Sequence, residues 1–484
     1  MKKLLVSALL LISLALASCA QTSDGNINAD TSASIETAAE ETTAAYPYEL
    51  KEFDGYTFTF LNQEDDFWTG SHHILDYESE TGDAVNDAIY QRCRKTEDDL
   101  GIGIEVIKGA LDNNALRLSM EKAVMANEDV YDAVYLPLNY GGSTSLTGKY
   151  VLNLHDISTL NLENEWWNQT FIAAATIGDN RLYTTIDFVN MMGYAYCNAL
   201  YFNKNMIVDY GLEEPYDLVR NGSWTYDKFF EYIAPVVNLN SDDSFKPAAD
   251  GTCIYGISGQ HSETTMTLLD GCGDFLITKN DQNLPELDSD IERIITAYDK
   301  LTDALSRDGW CVLHNTSELQ GLDFFLRNRA MFYSGSLGGS NSSRFRVADV
   351  EYGILPLPKL DEKQEDYCTI VSQYAFALNI PMAASDPERT GAIIDYMAFL
   401  GWRDILPVLQ TAFCYKGLRD EDSIEMMNIL LDTRTVDLGV VYGWTADMLS
   451  TLCTKMLDGN HIFVSTYETS RNKIIASIEK TFSE

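Results

Sequence analysis

Two segments of the sequence place carboxylate, amide and aromatic side chains directly after predicted strands. Asp65 and Trp68 follow one strand, and Asn139 and Tyr140 follow another. Fixed carboxylate and amide groups can hydrogen-bond hydroxyls, while aromatic rings can stack on the apolar face of a ligand. These residues mark two candidate ligand-binding loops. Two alternatives stay open: Asp65 and Asp66 form a solvated turn, and Trp68 is a packing residue.

Motifs for covalent or metal-dependent chemistry do not occur in the sequence. There is no HExxH motif, no GxSxG motif and no complete EF-hand loop. The loop at 142–149 resembles a phosphate-binding loop only faintly, because its spacing is one residue too long and Tyr150 replaces the magnesium-holding Ser or Thr. Pairs of carboxylates do not indicate a glycosidase here, because such pairs are always available in a chain with 73 Asp and Glu residues. We expect no metal and no cofactor.

The order of predicted elements positions the two loops. Strands are predicted at 56–61, 102–107 and 130–138, and helices at 83–100 and 115–126. Strand–helix–strand alternation at this spacing predicts a parallel sheet with helices on its faces. In open sheets of this kind, ligands bind beyond the carboxyl ends of the strands. Both loops are therefore expected at one binding edge.

Further elements follow along the chain, beginning with a strand at 199–203. Thr225 is a plausible N-cap for the next helix. Ser385 and Glu388 have the spacing of a capping box, which predicts a helix that starts there and ends at Gly401.

The first residues, 1–18, have the three parts of a secretory signal. Lys2 and Lys3 form a basic start, an apolar run covers 4–16, and small residues precede Cys19. This arrangement resembles the bacterial lipoprotein signal, in which a lipid is attached to the Cys after the cleavage site. We expect a mature protein that begins at Cys19 and is lipid-anchored at the outer face of the bacterial cell membrane. An ordinary secretory signal is the alternative.

A tether and a strongly acidic body follow the signal. Residues 19–47 contain too little apolar matter to fold, which predicts a flexible acidic tether. The formal net charge of the chain is -39, which excludes nucleic-acid binding because phosphate neutralisation needs clustered Lys and Arg. With 484 residues, the chain is long enough for two domains.

The cysteines other than Cys19 are scattered singly and form no CxxC pair. They are Cys93, Cys197, Cys253, Cys272, Cys311, Cys368, Cys414 and Cys453. We expect small buried hydrophobic residues, although an exported location also permits disulfides.

An ordered set of segments resembles a known protein family. The set comprises Val130–Val134, Asn139–Gly142, Gly148–Leu154, Asn180–Tyr183, Leu200–Asn205, Gly211–Leu212, Gly222–Thr225, Arg329–Phe332 and Tyr352–Pro358. It resembles the family 1 extracellular solute-binding proteins of ABC importers, the group that includes maltose-binding protein. The resemblance covers essentially the whole mature chain and rests on the order of the segments. An extended segment between Trp68 and Asp83 and a long carboxyl-terminal part depart from the family's pattern.

The resemblance implies an α/β fold of the two-lobed periplasmic-binding-protein type (class II), with the ligand cleft between lobes that a multi-strand hinge joins. Lobe 1 would comprise residues 48–185 plus 371–414, and lobe 2 residues 186–370 plus 415–484. The chain would cross the hinge near Thr184–Asp187, Val371–Tyr374 and Cys414–Tyr415. Such proteins close about the hinge around their ligand.

The same resemblance implies further ligand-binding residues from both lobes. In addition to Asp65, Trp68, Asn139 and Tyr140, they are Asp187, Gln260, His261, Ser336, Tyr374 and Trp444. Trp444 occupies the position where a ring would stack on a sugar, with a place in the core as the alternative. Asp187 would either contact the ligand or stabilise the hinge.

The implied function is capture of a neutral mono- or oligosaccharide and its delivery to ABC permease subunits in the membrane. The chain would act as a monomer and would not be an enzyme. Two other functions stay open. One is a surface glycosidase, and the other is the same fold binding a peptide or another solute, or serving as a sensor partner.

Overall fold

The computed structural model describes residues 44–64, 74–140, 148–288, 290–313, 319–341, 343–413 and 420–483. The strands are β1 (Tyr56–Gln63), β2 (Ile102–Gly109), β3 (Ala133–Pro137), β4 (Asn198–Asn203), β5 (Tyr255–Ser258), β6 (Ile277–Lys279), β7 (Pro285–Leu287), β8 (Cys311–Val312), β9 (Ala330–Ser336), β10 (Tyr352–Leu355), β11 (Thr369–Ile370), β12 (Phe376–Asn379) and β13 (Arg434–Thr435). The helices are α1 (Ala84–Leu100), α2 (Asn113–Ala126), α3 (Gln169–Ala175), α4 (Met192–Ala195), α5 (Lys204–Asp209), α6 (Tyr216–Arg220), α7 (Tyr226–Ile233), α8 (His261–Asp270), α9 (Glu292–Leu305), α10 (Gly321–Leu326), α11 (Ser343–Val347), α12 (Pro387–Leu400), α13 (Leu406–Thr411), α14 (Glu421–Asp432), α15 (Leu438–Val441), α16 (Ala446–Leu457) and α17 (Phe463–Ser483).

The first sheet has the strand order β12-β3-β1-β2. Strand β1 runs parallel to both β2 and β3, while β12 joins antiparallel to β3. Phe58 is buried between exposed Thr57 and half-buried Thr59, and every residue from Phe60 to Gln63 is buried, so the carboxyl half of β1 is covered on both faces. The predicted parallel sheet is confirmed, and β12 adds a strand that arrives from far along the chain.

Local signals bound the helices that pack on this sheet. The Asp83 side chain caps α1 by accepting from the backbone N–H groups of Val85 and Asn86. Gly101 ends α1 in the left-handed conformation, with φ 59°, as expected of a C-terminal glycine. Asp112 caps α2 by accepting from the N–H of Ala115. Both helices lie within two residues of the predicted bounds.

The second sheet has the strand order β10-β4-β9-β5-β8. Strands β5, β8 and β9 are parallel, so their carboxyl ends share one edge, while β4 runs antiparallel to β9 and β10. Two crossing connections lie between the sheets. Thr185 bridges Leu378, and Val371 bridges Cys197. Pairing of β11 with β13 adds a third contact between distant segments. The described residues therefore form an α/β fold with two main sheets and two smaller strand pairs, β11 with β13 and β6 with β7.

Two predictions about helix ends were wrong. The N-cap of α12 is Asp386, which accepts from the N–H of Arg389, and Glu388 instead accepts from the Ser158 hydroxyl at 2.8 Å. Gly401 also does not end the helix, because a π turn (Gly401–Ile405) continues it into α13. A Cβ on Gly401 would lie 2.0 Å from the Phe188 carbonyl oxygen, so this glycine serves a close backbone approach. Thr225 does hold the N-cap position of α7, but its side chain makes no capping hydrogen bond.

The carboxylate of Asp395, on α12, organises a buried polar cluster. It accepts hydrogen bonds from the hydroxyl of Tyr46 at 2.6 Å, the indole N–H groups of Trp166 at 2.7 Å and Trp167 at 2.9 Å, and the amide of Asn161 at 3.1 Å. Tyr46, which the sequence predicted to belong to the tether, thereby ties the first described residues to helix α12. Trp166 and Trp167 have a structural role.

The seven described cysteines are all unpaired, and all but Cys311 are buried. Burial raises their thiol pKa values, to about 11 for Cys93 and Cys197. Cys414 lies outside the described residues. Within the part of the chain that the structure describes, no helix combines the length and the apolar character needed to cross a bilayer.

Buried acids predict how stability depends on pH. Burial raises the pKa of Asp187 and of Asp395 to about 6, and it raises that of Asp270 well above its ordinary value, helped by the charge of Asp437. Such groups keep their proton in the folded protein at pH values where the unfolded chain has lost it. Their stabilising contribution is therefore present below about pH 4 and is lost as the pH rises through the folded pKa.

We expect Asp270→Asn to flatten this dependence by up to about 1.4 kcal/mol per pH unit, because one buried titrating group is removed. Urea unfolding between about pH 4 and about pH 7 measures it. The exposed Asp290→Asn is the control and should run parallel to the unmodified protein. Parallel curves for Asp270→Asn would contradict the prediction.

Candidate binding site

Asn139 and Tyr140 follow β3 at the carboxyl edge of the first sheet, as the sequence predicted. The backbone N–H of Asn139 donates to the Gln373 carbonyl at 3.1 Å, and its amide donates to Gln373 Oε1 at 3.4 Å. Oδ1 of Asn139 is buried and accepts no hydrogen bond from the protein. This edge therefore holds a buried acceptor that lacks a hydrogen-bond donor among the described residues.

Tyr374 lies beside this pair on the segment that leads into β12. Its side chain is 41% exposed, although its backbone N–H is fixed by the hydroxyl of Ser372 at 3.3 Å. Burial of the phenol oxygen, with the nearby charge of Glu263, raises the pKa of Tyr374. A partly open ring held by a fixed backbone suits stacking on an apolar ligand face.

The second sheet contributes the start of α8, directly after β5. Gln260 occupies the N-cap position without a capping side-chain bond, and His261 begins the helix with Nδ1 at 3.4 Å from the Ser262 hydroxyl. In the same first turn, Glu263 Oε1 accepts from the Ser372 hydroxyl at 2.8 Å. This hydrogen bond brings the carboxyl edges of the two sheets together.

Ser336 and Tyr333 lie at the end of β9, next to β5. The Ser336 carbonyl accepts from the Tyr201 hydroxyl at 2.7 Å, and the rings of Tyr333 and Tyr201 are 5.7 Å apart. Burial, with the charge of Glu263, raises the pKa of Tyr333 to about 12. Tyr333 is a residue of this edge that the sequence did not single out.

Asp187 lies at the first crossing between the sheets, and its carboxylate is fully engaged. Oδ2 accepts from the Tyr135 hydroxyl at 2.7 Å, and Oδ1 accepts from the N–H groups of Val189 and Asn190 at 2.9 Å. Burial nonetheless raises its pKa to about 6. This geometry favours the hinge-stabilising alternative for Asp187.

Trp444 is 7% exposed and packs on Tyr442 with a ring separation of 4.9 Å. Its indole N–H donates to the Thr481 hydroxyl on α17 at 3.2 Å. These contacts favour the core alternative, because a stacking ring needs an accessible face. The other predicted residues, Asp65, Trp68 and the lipidation site Cys19, lie outside the described residues, as does the hinge crossing at Cys414–Tyr415.

Glu263, like Tyr333, is a residue of this site that the sequence analysis did not single out. A signal was available, since an acid three residues after Gln260 falls in the first turn of a helix that begins at a sheet edge. The Ser372 partner is 109 positions away in sequence. A pairing over that separation has no signature in the local sequence.

A cavity of about 580 Å³ lies at the other end of α8, beyond Asp270. Its lining includes Asp274, Arg293 and Cys368, and the Arg293 guanidinium is already paired with Asp274 at 2.8 Å and Asp361 at 3.2 Å. None of the predicted ligand residues lines it. We therefore place the candidate site at the junction of the sheet edges and not in this cavity.

Three solved structures are similar to this chain, and each was solved with a small molecule bound. The GacH receptor of Streptomyces glaucescens, solved unliganded and with acarbose, is 13% identical with a TM-score of 0.55, over 89% of this chain and 99% of that chain. Lmo0181 of Listeria monocytogenes, an ABC substrate-binding protein solved with cycloalternan, is 13% identical with a TM-score of 0.55. The match covers 89% of this chain and 100% of that chain. UgpB of Mycobacterium tuberculosis, solved with glycerophosphocholine, is 16% identical with a TM-score of 0.56. The match covers 84% of this chain and 98% of that chain.

No family model matches the chain, and no curated protein sequence matches it. The structural likeness extends over nearly the full length of the similar chains, at low sequence identity. The chain therefore has the two-lobed α/β fold of the ABC-transporter solute-binding proteins.

Proposed function

We propose that the chain is a family 1 extracellular solute-binding protein that captures a neutral mono- or oligosaccharide between its two lobes. The observation that carries the proposal is the likeness, over more than four fifths of the chain, to binding proteins of this fold. GacH was solved with acarbose and Lmo0181 with cycloalternan, which are carbohydrate ligands of those proteins. The proposed lobes are residues 48–185 plus 371–414 and residues 186–370 plus 415–484.

The chemistry of the candidate site supports a hydroxylated ligand. Asn139 Oδ1 and Glu263 are acceptors at the two sheet edges, and Tyr374 supplies a partly open ring between them. Hydroxyl groups satisfy such acceptors, and an apolar sugar face covers such a ring. Closure would be driven by contacts that the ligand makes with both edges at once.

The anchor and the partners complete the proposal. Cys19 carries the lipid, residues after it form the tether, and the folded body begins near Tyr46. The protein is a monomer at the outer face of the membrane and delivers its ligand to separate ABC permease subunits. It is a binding protein and not an enzyme.

A thermal-shift screen of residues 20–484 tests the function, because a ligand that binds only the folded state raises the melting temperature. The panel contains glucose, maltotriose, raffinose and ribitol, with peptides and glycerophosphocholine as controls. A rise with one sugar class supports the proposal. A rise with peptides alone, or turnover of an oligosaccharide, would overturn the sugar-binding assignment.

Glycerophosphocholine is included because UgpB was solved with it. Binding of this compound and of no sugar would favour the second candidate, the same fold with a non-carbohydrate solute.

Tyr374→Ala should weaken binding of the sugar identified by the screen by about 1–3 kcal/mol, or about 5- to 150-fold, because an exposed stacking ring is lost. Isothermal titration measures the change. Tyr48→Ala is the control, since Tyr48 is similarly exposed but contacts Asn164 and Trp166 away from the site. Equal affinities for the Tyr374→Ala variant and the unmodified protein would remove Tyr374 from the site.

A further inference from the structure

Glu263 is the acidic group at the junction of the two sheet edges. It lies in the first turn of α8, where the helix N-terminus favours negative charge, while burial opposes that charge and raises the pKa of the Glu263 carboxyl. The side chain is partly buried, and its hydrogen bond to Ser372 holds it at the segment that enters the first sheet. Residues from both lobes of the proposed binding protein therefore hold this carboxylate in place.

Only one oxygen of this carboxylate is engaged by the protein. Oε1 accepts from Ser372, while no described residue donates to Oε2, and Oε2 is not among the fully buried unpartnered atoms. Oε2 therefore has no hydrogen-bond donor among the described residues. Asn139 Oδ1, a second acceptor without a partner, lies on the opposite edge beside Gln373. A ligand that satisfies both acceptors must supply hydrogen-bond donors.

The surrounding groups leave the charge of Glu263 unneutralised. Tyr333 and Tyr374 both have pKa values raised in part by this charge, so it lies within electrostatic reach of both rings. Arg344, a cation whose charge also acts on Tyr333, already donates to Gln320 Oε1 at 3.1 Å and pairs with Asp323. An anionic ligand would meet uncompensated negative charge here.

We propose that Glu263 is the specificity-determining residue of the site, selecting neutral ligands that donate hydroxyl groups and rejecting those that carry a carboxylate or phosphate. The inference rests on the proposed function and names the ligand class of the same site. Ser372 acts as the positioning residue, because its hydroxyl fixes one oxygen and leaves the other for the ligand.

The charge on Glu263 produces both effects. A hydrogen bond from a hydroxyl to a charged acceptor is stronger than one to a neutral acceptor, so neutral sugars gain affinity. A carboxylate on the ligand brings no donor and adds repulsion between like charges in a partly desolvated site. Replacing the acid by its isosteric amide removes both contributions without changing the volume.

The test compares matched neutral and anionic probes on residues 20–484 and on Glu263→Gln. The probes are glucose with glucuronate, galactose with galacturonate, and ribitol with ribonate, each measured by isothermal titration. For the neutral probe that binds, Glu263→Gln should lose about 10- to 100-fold in affinity. The ratio of affinities for the neutral and the anionic member of that pair should fall at least about 10-fold.

Glu292→Gln is the matched control, since Glu292 also lies in the first turn of a helix on the second lobe and is exposed. It should leave affinity and selectivity unchanged. Ser372→Ala should reduce the selectivity ratio less than Glu263→Gln does, because the carboxylate remains but loses its fixed orientation.

The outcomes separate the inference from the proposed function. Binding of a neutral sugar with equal affinity and selectivity in Glu263→Gln would overturn the inference and leave the proposed function standing. A lower melting temperature with unchanged selectivity would assign Glu263 a purely structural role and would also overturn it. Tighter binding of an anionic probe than of its neutral partner by the unmodified protein would contradict it as well. Binding of no sugar at all would overturn both.

Discussion

Asp395→Ala is expected to lower the free energy of unfolding by about 3–5 kcal/mol, the size seen when a buried charge network loses its central member. The Asp395 carboxylate is fully buried and accepts from four side chains, two of them the indoles of Trp166 and Trp167. Alanine provides no acceptor, and these indoles are too deeply buried to reach water. Urea unfolding at neutral pH, where an acid with a pKa of about 6 is ionised, measures the loss.

Asp395→Asn is the informative companion variant. Both indoles donate to Oδ1, which an amide oxygen can replace, whereas Tyr46 and Asn161 donate to Oδ2, where an amide nitrogen would oppose them. We expect an intermediate loss, about half of that for alanine. Equal stability of the alanine variant and the unmodified protein would show that the four donors find other partners.

The same cluster shows which part of this fold is accessible to sequence reasoning. Helix α1 was predicted to within one residue because Asp83 and Gly101 act on neighbouring atoms. The bond from Trp166 to Asp395 joins residues 229 positions apart. Trp166 and Asp395 each carry the signal of an ordinary polar or aromatic residue, and only the tertiary fold reveals that they meet.

The two ends of α12 differ from the sequence-based predictions for the same physical reason. Ser385 and Glu388 have the spacing of a capping box, but Asp386 captures the helix N-terminus and Glu388 finds donors on Ser158 and Thr159. Gly401 has the appearance of a helix stop, yet it is required by the nearby Phe188 carbonyl. In both cases a distant partner competes with the local signal and prevails.

The residues of the candidate site also differ in whether the local sequence predicts their positions. Asn139 and Tyr140 could be predicted because the end of a strand in a parallel sheet is a binding edge wherever the strand lies. The contact between Glu263 and Ser372 could not be predicted, because it depends on how the second sheet meets the segment before β12. Family resemblance supplied Gln260 and His261 next to it, and it also supplied Trp444, whose contacts differ from those of a ligand residue.

Trp444→Ala is expected to lower the free energy of unfolding by about 3–5 kcal/mol while leaving sugar affinity unchanged. The sequence-based expectation is the reverse, a loss of about 1–3 kcal/mol in binding. The structure favours the first result, because the indole is buried between Tyr442 and Thr481 and links the loop after α15 to the last turns of α17. Trp310→Ala, at a partly buried ring that packs on Arg307, is the control and should cost less. Urea unfolding and titration with the sugar from the screen separate the two roles. A folded Trp444→Ala variant with normal stability and at least about 5-fold weaker binding would restore the stacking role and move the site toward α15.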